Sequence, residues 1–242
     1  MNLIIDIGNT LCKLAIFEGP DEIFSESING NLTDRITALK QVYKNLDYSI
    51  LSATGKVDPG LPEFLSRNFH TSILFDHQTP LPIIIDYNTP ETLGLDRMAG
   101  AAGANGLFPD KNVLIIDAGS AITIDMKTKE NKFIGGNISP GMSMRFRALH
   151  DYTHRLPLVK PGKNSLIGKT TDEAIKNGVI NGIAFEVEQY FENLNAIYED
   201  LTIILTGGDA EFFENRLKKT IFVVQNLVRQ GLNIILNYNV AT

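Results

Sequence analysis

The sequence has no tryptophan, one cysteine and four histidines among its 242 residues. A single cysteine cannot form a disulfide within the chain, so the composition is typical of a reducing compartment, and we expect a cytoplasmic protein. No apolar run approaches the length of a membrane span and no signal pattern precedes the first strand, so we expect no membrane partner. The 22 basic residues are fewer than the 28 acidic ones, which argues against nucleic-acid binding.

The rare side chains suggest little chemistry of their own. Cys12 stands within a predicted strand, and we interpret it as a packing residue rather than a nucleophile. His150 and His154 are four residues apart and can share a helix face. Because no third side chain with metal-ligand spacing lies nearby, we do not predict a metal site there.

The centre of the chain carries a more informative pattern. Four apolar residues, 113–116, predict a buried strand that ends at Asp117. Gly119 permits a tight reversal, and Ser120 and Thr123 place hydroxyl groups just past it. The pattern predicts a β-hairpin whose backbone N–H groups bind phosphate and whose acid holds a cation or its water shell.

The same pattern occurs near the N-terminus, where an apolar run ends at Asp6 and is followed by Gly8, Asn9, Thr10 and a second apolar run. One Asp-x-Gly unit is weak evidence because Asp and Gly are ordinary turn residues. Two copies in matching strands indicate an internal repeat. We therefore predict an α/β protein of two similar domains, 1–110 and 111–242, with a ligand cleft between them.

Asp96 and Arg97 stand between the two hairpins, at the end of a predicted loop, where they open a predicted helix of small residues over Met98–Gly106. An acid at a helix start can simply cap the helix. An acid beside an arginine is also the pattern of a general base with an anion anchor. The residue pattern alone leaves both interpretations open.

Two glycine-containing segments of the second half are candidates for nucleotide binding. Gly168-Lys169-Thr170-Thr171 lacks the first glycine of a P-loop because position 163 is lysine, so we predict a capped loop before a long helix that starts at Ala174. Gly207 and Gly208 follow a predicted strand and open a helix. Their bare backbone suits the sugar or base of a nucleotide.

Together these motifs resemble the type III pantothenate kinases, a family of the acetate and sugar kinase, Hsp70 and actin superfamily. The resemblance extends over nearly the whole chain. Its specific signal is Gly94-x-Asp96-Arg97 between the two Asp-x-Gly motifs, because those motifs alone mark only the superfamily. The other matching motifs are Tyr87 with Thr89-Pro90, Gly135-Gly136 with Pro140-Gly141, Leu156-Pro157 and Thr206-Gly-Gly-Asp209.

The resemblance implies two ribonuclease-H-like domains of the actin-like ATPase type and phosphorylation of pantothenate to 4′-phosphopantothenate, the first step towards coenzyme A. It implies that Asp96 is the general base and that Asp117 binds a monovalent cation. The residues implied to bind ATP are Asp6, Gly8, Asn9, Thr10, Lys13, Ser120, Gly207 and Gly208. The residues implied to bind pantothenate are Tyr87, Gly94, Leu95, Arg97 and Thr171.

The resemblance also implies the cofactors and the assembly. We expect ATP with Mg²⁺ or another divalent ion, K⁺ or NH₄⁺ as monovalent cation, and a homodimer. The small residues around Gly100 and Gly103 favour the dimer, because they let helices of two subunits pack closely. Ser120 replaces the usual threonine but keeps its hydroxyl. Cys12 occupies a variable place, and His154 stands where a small residue is common.

Three other functions compete with the kinase. A phosphohydrolase of the same superfamily would need a water-positioning acid and no organic acceptor site. A nucleotide-binding regulator would lack a base, and a structural actin-like subunit would need extra subdomains for polymerisation. Asp96 and Arg97 favour the kinase, and ATP consumption that depends on pantothenate distinguishes it from the alternatives.

Overall fold

Two mixed β-sheets form the framework of the computed structural model, which describes residues 1–8 and 11–241. The predicted site residues Asn9 and Thr10 lie outside the described residues. The chain divides into two compact units. The first comprises residues 1–109, 131–133 and those from 226 onward, and the second comprises residues 110–130 and 134–225.

Three consecutive strands begin each half of the chain, and helices and further strands follow them. In order they are β1 (Asn2–Ile7), β2 (Cys12–Glu18), β3 (Asp21–Ile28), α1 (Leu32–Val42), β4 (Tyr48–Ala53), α2 (Leu61–Asn68), β5 (Thr71–Leu74), β6 (Ile84–Ile85), a 3-10 turn (Pro90–Thr92), α3 (Leu95–Leu107), β7 (Val113–Ala118), β8 (Ala121–Lys127), β9 (Lys132–Pro140), α4 (Met142–Asp151), α5 (Thr171–Asn195), β10 (Thr202–Thr206), α6 (Ala210–Glu214), β11 (Phe222–Val223) and α7 (Leu227–Val240).

The two sheets have the same strand order. The first is β3–β2–β1–β4–β5, and the second contains β9–β8–β7–β10–β11. In the first sheet, β1 pairs antiparallel with β2 and parallel with β4. In the second sheet, β7 likewise pairs antiparallel with β8 and parallel with β10. β6 adds to the second sheet through residues 132–133 of β9, which group with the first unit. The predicted α/β fold with two similar halves is confirmed.

Side-chain alternation divides each first strand between two faces. In β1, Leu3 and Ile5 pack into a core with α1 and α2, so Asp6 points to the opposite face. In β7, Leu114 and Ile116 pack into a second core that includes α4 and α5, and Asp117 points away from it. Each Asp-x-Gly carboxylate therefore lies on the sheet face opposite to these cores.

The small residues of α3 pack against α7 of the same chain. A Cβ on Gly103 would lie 2.5 Å from the Leu227 carbonyl oxygen, and a Cβ on Gly231 would lie 1.8 Å from the Ala99 carbonyl oxygen. The prediction that these residues serve contact between two subunits is therefore wrong for Gly103, while a Cβ on Gly100 would meet nothing within 4 Å. The homodimer itself stays a prediction.

The place of α7 also bears on the domain boundaries. The two units separate at residues 109 and 110, close to the predicted boundary, but α7 groups with the first unit. The division into 1–110 and 111–242 stays a prediction and differs from the observed units in this helix. Among the described residues, no helix combines the length and apolarity that a membrane span requires.

Candidate active site

The first hairpin places Asp6 at the end of β1, directly across from Lys13 of β2. The Gly8 N–H donates to the Leu11 carbonyl at 3.0 Å and closes the turn. A Cβ on Gly55, just after β4, would lie 2.6 Å from the Gly8 carbonyl oxygen. The Gly8 backbone is therefore packed closely against Gly55, and only a glycine fits at position 55.

Several charged groups surround Asp6. Burial raises the pKa of its carboxyl group above the ordinary value, Lys13 and Arg229 oppose that rise, and the negative charge of Asp96 adds to it. Arg229 of α7 is held by two hydrogen bonds of 2.9 Å to the Glu22 carboxylate. The Asp96 carboxylate is therefore among the charges that act on the Asp6 carboxyl group.

Asp96 lies in the first turn of α3, and its side chain is exposed. Its Oδ1 accepts the backbone N–H of Arg97 at 2.8 Å. The N-cap position belongs to Gly94, which has no side chain that could cap the helix. A Cβ on Gly94 would lie 2.4 Å from Asp96 Oδ1, so the glycine leaves space for the carboxylate.

Arg97 follows Asp96 but is buried, with 7% of its surface exposed. Its guanidinium carbon lies 6.0 Å from the ring centre of Tyr87 and 5.6 Å from that of Phe133. The two rings are themselves 6.2 Å apart. A buried guanidinium between aromatic rings has restricted orientation and suits a planar anion such as a carboxylate.

The loop before Gly94 is fixed by a histidine. The Nε2–H of His77 donates to the Leu93 carbonyl at 2.8 Å. Leu93 is buried and directly precedes Gly94. The segment that carries Asp96 and Arg97 is therefore held at both ends, by His77 before it and by α3 after it.

The second hairpin places Asp117 at the turn between β7 and β8. The Gly119 N–H donates to the Ala121 carbonyl at 3.0 Å. Gly207 has a φ of +93°, and a Cβ there would lie 2.3 Å from Asp117 Oδ1. The Asp117 carboxylate thus lies against bare backbone, which is compatible with a coordinated ion.

Two further segments support this second turn. The Ser120 carbonyl accepts the Gly141 N–H at 3.1 Å, and a Cβ on Gly141 would lie 2.2 Å from the Gly119 carbonyl oxygen. The Ala118 carbonyl accepts the Asp209 N–H at 2.8 Å. Ser120 itself is exposed, as is Gly208. The backbone of the turn is fixed while the predicted ATP contacts stay accessible.

Thr171 is the first residue of α5 and is exposed. The cap is Thr170, whose hydroxyl accepts the Glu173 N–H at 3.2 Å, while Glu173 accepts the Lys169 N–H at 2.7 Å. This reciprocal arrangement resembles a capping box. It starts the helix three residues before the predicted Ala174 and leaves the Thr171 side chain available.

The rare side chains show no metal cluster. Among the described residues, no group of three or more histidine, cysteine, aspartate or glutamate side chains could hold a metal ion. His150 contacts the Leu156 carbonyl at 2.9 Å. Burial and the nearby Asp6 raise the pKa of the Cys12 thiol to about 11, which keeps it protonated and unreactive at neutral pH.

Comparison with known proteins decides the family. The sequence profile described as type III pantothenate kinase matches residues 2–193. The chain belongs to the type III pantothenate kinase family. Proteins with this name from Christiangramia forsetii and Phocaeicola vulgatus are 40% and 43% identical to it, and each match covers 99% of both chains. The predicted enzyme class, a pantothenate kinase of coenzyme A biosynthesis, is confirmed.

Solved structures share the fold of this pantothenate kinase at low identity. A Campylobacter jejuni protein described as a Baf family transcriptional activator has a TM-score of 0.65 and 20% identity, and the match covers 99% of this chain and 100% of that one. A Clostridium difficile activator of 2-hydroxyisocaproyl-CoA dehydratase has a TM-score of 0.55 and 11% identity, with 99% and 95% covered. These matches support the fold alone. ATP use follows from the kinase family.

Some residues around the candidate site carry no signal in the sequence. Arg229 lies more than two hundred residues after Asp6, and no pattern connects the two. His77 stands in no recognisable motif. Phe133 directly precedes Ile134 and the Gly135-Gly136 motif, and only the structure shows that its ring contacts both Tyr87 and Arg97.

Proposed function

We propose that Asp96 is the general base of this pantothenate kinase, and that it accepts the proton of the pantothenate hydroxyl as that oxygen attacks the γ-phosphorus of ATP. The observation that carries the proposal is the exposed Asp96 carboxylate in the first turn of α3, directly before the buried Arg97, whose N–H it accepts. The P–O bond to the leaving ADP breaks as the new P–O bond forms. The proton moves from the substrate hydroxyl to a carboxylate oxygen of Asp96.

The transition state of phosphoryl transfer is loose, so the hydroxyl loses its proton late and positioning contributes much of the catalysis. The Asp6 and Asp117 turns, with Gly8, Ser120 and the Gly207-Gly208 backbone, are proposed to hold the ATP phosphates and the nucleoside. Backbone N–H groups at such turns bind anions without a net charge of their own. Lys13 adds a cation directly opposite Asp6.

Arg97 and Tyr87 are proposed to hold the substrate carboxylate, with Gly94, Leu95 and Thr171 completing the pantothenate contacts. A guanidinium binds a carboxylate through two parallel hydrogen bonds, and burial strengthens this interaction. The 7% exposure of Arg97 gives such an environment. The arginine fixes one end of pantothenate, so that the hydroxyl at the other end can reach Asp96.

The residues present are compatible with the expected ions. Asp6 offers carboxylate oxygens, the ligands that Mg²⁺ prefers, and Asp117 offers a carboxylate beside backbone that a Cβ would fill. A bound divalent ion would neutralise negative charge on the phosphates. Asp117 is proposed to bind K⁺ or NH₄⁺. The homodimer is proposed from the family resemblance, and light scattering at assay concentration tests it.

The experiment measures ADP release and 4′-phosphopantothenate formation with and without pantothenate. We expect ADP release to require pantothenate and to match the phosphorylated product one to one. Arg97→Ala should raise KM for pantothenate about 10- to 100-fold, because a charged hydrogen bond contributes about 1.5–3 kcal/mol. Exposed Arg147 of α4 gives the control Arg147→Ala. An unchanged KM in the Arg97 variant would contradict the carboxylate assignment.

A further inference from the structure

Phe133 is the feature of the first unit that the pantothenate kinase reaction has not yet used. It belongs to β9, its side chain is fully buried, and it groups with the first unit together with β6. The ring contacts two side chains that are proposed to hold pantothenate, Tyr87 and Arg97. No catalytic group lies on Phe133, so any role must act through these neighbours.

The first contact is between the Phe133 ring and the Arg97 guanidinium. The guanidinium carbon is 5.6 Å from the ring centre, within the range of a cation–π interaction. The ring carries negative potential on its face, and Arg97 is almost completely removed from water. The attraction is therefore stronger than at an exposed site and holds the guanidinium next to this ring.

The second contact fixes Tyr87. The Phe133 and Tyr87 ring centres are 6.2 Å apart with planes tilted by 58°. The Phe133 carbonyl also accepts the Asp86 N–H at 2.8 Å, and Ile85 pairs with Phe133 in the β6–β9 ladder. The backbone of Phe133 thus fixes the segment directly before Tyr87, and the side chain of Phe133 orients the Tyr87 ring.

These contacts meet at one residue. Phe133 lies against Arg97 on one side and against Tyr87 on another, while Arg97 is also 6.0 Å from the Tyr87 ring centre. The three side chains form a closed triangle, which we call the aromatic clamp (Tyr87, Arg97 and Phe133). Removing the Phe133 ring leaves Arg97 with one aromatic neighbour in the clamp, Tyr87, and weakens the constraint on the orientation of its guanidinium.

We propose that Phe133 is a positioning residue that determines recognition of the substrate carboxylate, by holding Arg97 and Tyr87 in the aromatic clamp. The proposal rests on the proposed function, in which these two residues bind pantothenate. Phe133 selects for a planar anionic end group, because the oriented guanidinium fork matches a carboxylate. It does not contribute to ATP binding or to proton transfer.

The test measures the Kd of pantothenate and of pantothenol, in which a CH₂OH group replaces the carboxylate, by calorimetry on the full chain. Phe133→Leu should weaken pantothenate binding about 3- to 30-fold, in proportion to the worth of a desolvated cation–π contact. Binding of pantothenol and KM for ATP should not change. Phe133→Tyr keeps the ring and should restore most of the affinity.

Two further variants separate positioning from stability. Phe75 is buried to 2% exposure in the same unit, so Phe75→Leu loses a similar side chain away from the clamp and should leave both Kd values unchanged. Stepwise ring fluorination of Phe133, by site-specific incorporation of fluorinated phenylalanines, hardly alters its shape but weakens the negative face. The pantothenate Kd should rise with each added fluorine. If Phe133→Leu fails to fold, the fluorinated proteins still test the proposal, because they keep the ring and its shape.

The outcomes distinguish the two levels of the argument. If the wild-type protein binds pantothenate and pantothenol equally well, carboxylate recognition by Arg97 fails, and the clamp proposal fails with it. If the wild-type protein discriminates between them while fluorination and Phe133→Leu leave that discrimination intact, the proposed function stands and the role of Phe133 is overturned.

Discussion

The two Asp-x-Gly hairpins share a strand order but surround their carboxylates differently. Asp6 lies in a charged environment, across from Lys13 and coupled to Asp96 and Arg229. Asp117 lies against the backbone of Gly207, whose φ of +93° only glycine adopts readily. Charged side chains thus surround the carboxylate of the first hairpin, whereas main-chain atoms closely approach the carboxylate of the second.

The difference shows how one framework can supply two kinds of site. The sheets fix where the first strand ends, and the elements that pack there decide the chemistry. In the first unit these are α3 and α7, which contribute Asp96 and Arg229. In the second unit they are the glycine turns after β10 and β9. The comparison supports the proposals that Asp6 helps to hold phosphate and a divalent ion and that Asp117 binds a monovalent cation.

The largest test of the comparison is Asp96→Asn, which removes the charge peculiar to the first hairpin. We expect kcat to fall by about 10²–10⁴, the usual worth of general-base assistance, while the Kd for ATP stays near the wild-type value. Pre-steady-state product formation and ATP binding by calorimetry measure the two quantities. If Asp96 serves only to accept the Arg97 N–H in the first turn of α3, the side-chain oxygen of asparagine can replace it, and kcat would stay near normal.

Gly207→Ala tests whether the second hairpin depends on bare backbone. The added Cβ would lie 2.3 Å from Asp117 Oδ1 in a left-handed conformation, so we expect a loss of about 1–3 kcal/mol in the free energy of unfolding and a raised KM for ATP. Gly208→Ala is the matched control for stability, because a Cβ there meets nothing within 4 Å. Equal Tm values for the two variants would remove the argument.

The two aspartates should differ in their response to monovalent cations. Asp117→Asn should blunt activation by K⁺, because the amide loses the charge that attracts the ion. Asp6→Asn should weaken the binding of phosphate and Mg²⁺, but K⁺ should increase its rate by the same factor as in the wild type. Rates measured across a K⁺ series, with an inert organic cation holding the ionic strength constant, compare the variants. An unchanged K⁺ response in Asp117→Asn would leave both hairpins equivalent in this respect.

The smallest expected effect is on stability. Burial raises the folded-state pKa of Asp6 above 3.8, its ordinary value. The folded state therefore binds this proton more tightly than the unfolded state, and the free energy of unfolding falls as pH rises from 3.8 to the folded pKa. Asp6→Asn removes this loss, so its Tm at pH 7 should exceed that of the wild type. The gap should close towards pH 3.8 and would contradict the burial argument if it widened there.

Local patterns in the sequence are sufficient for both hairpins. An apolar run, an acid and a glycine lie within a few residues of one another, so their geometry follows from neighbouring backbone. Because the pattern occurs twice, it also predicts two similar halves, and the matching strand orders confirm this. The helix predicted over Met98–Gly106 begins three residues earlier, at Leu95. The start of α5 was missed by three residues, since Thr170 and Glu173 cap the helix before its apolar pattern begins.

The remaining site geometry depends on contacts between distant segments. The pairing of β6 with β9 brings Phe133 to Tyr87. A strand of two residues, 84–85, is too short to produce a recognisable pattern in the sequence. Arg229 reaches the first hairpin only because α7 packs on the first unit. The roles of the individual site residues stay predictions that the variants above test.

The return of α7 to the first unit affects the order in which a growing chain can fold. Asn2 donates to Asn233, 231 positions later, and Ala99 and Gly103 are covered only when Leu227 and Gly231 arrive. The strands of the second sheet from β7 onward end at Val223, so that unit can form while the first still lacks its last helix. Although N-terminal units usually fold first during synthesis, the first unit of this chain can be completed only after the second has been made, and a product that stops before residue 227 lacks the Arg229 charge that acts on Asp6.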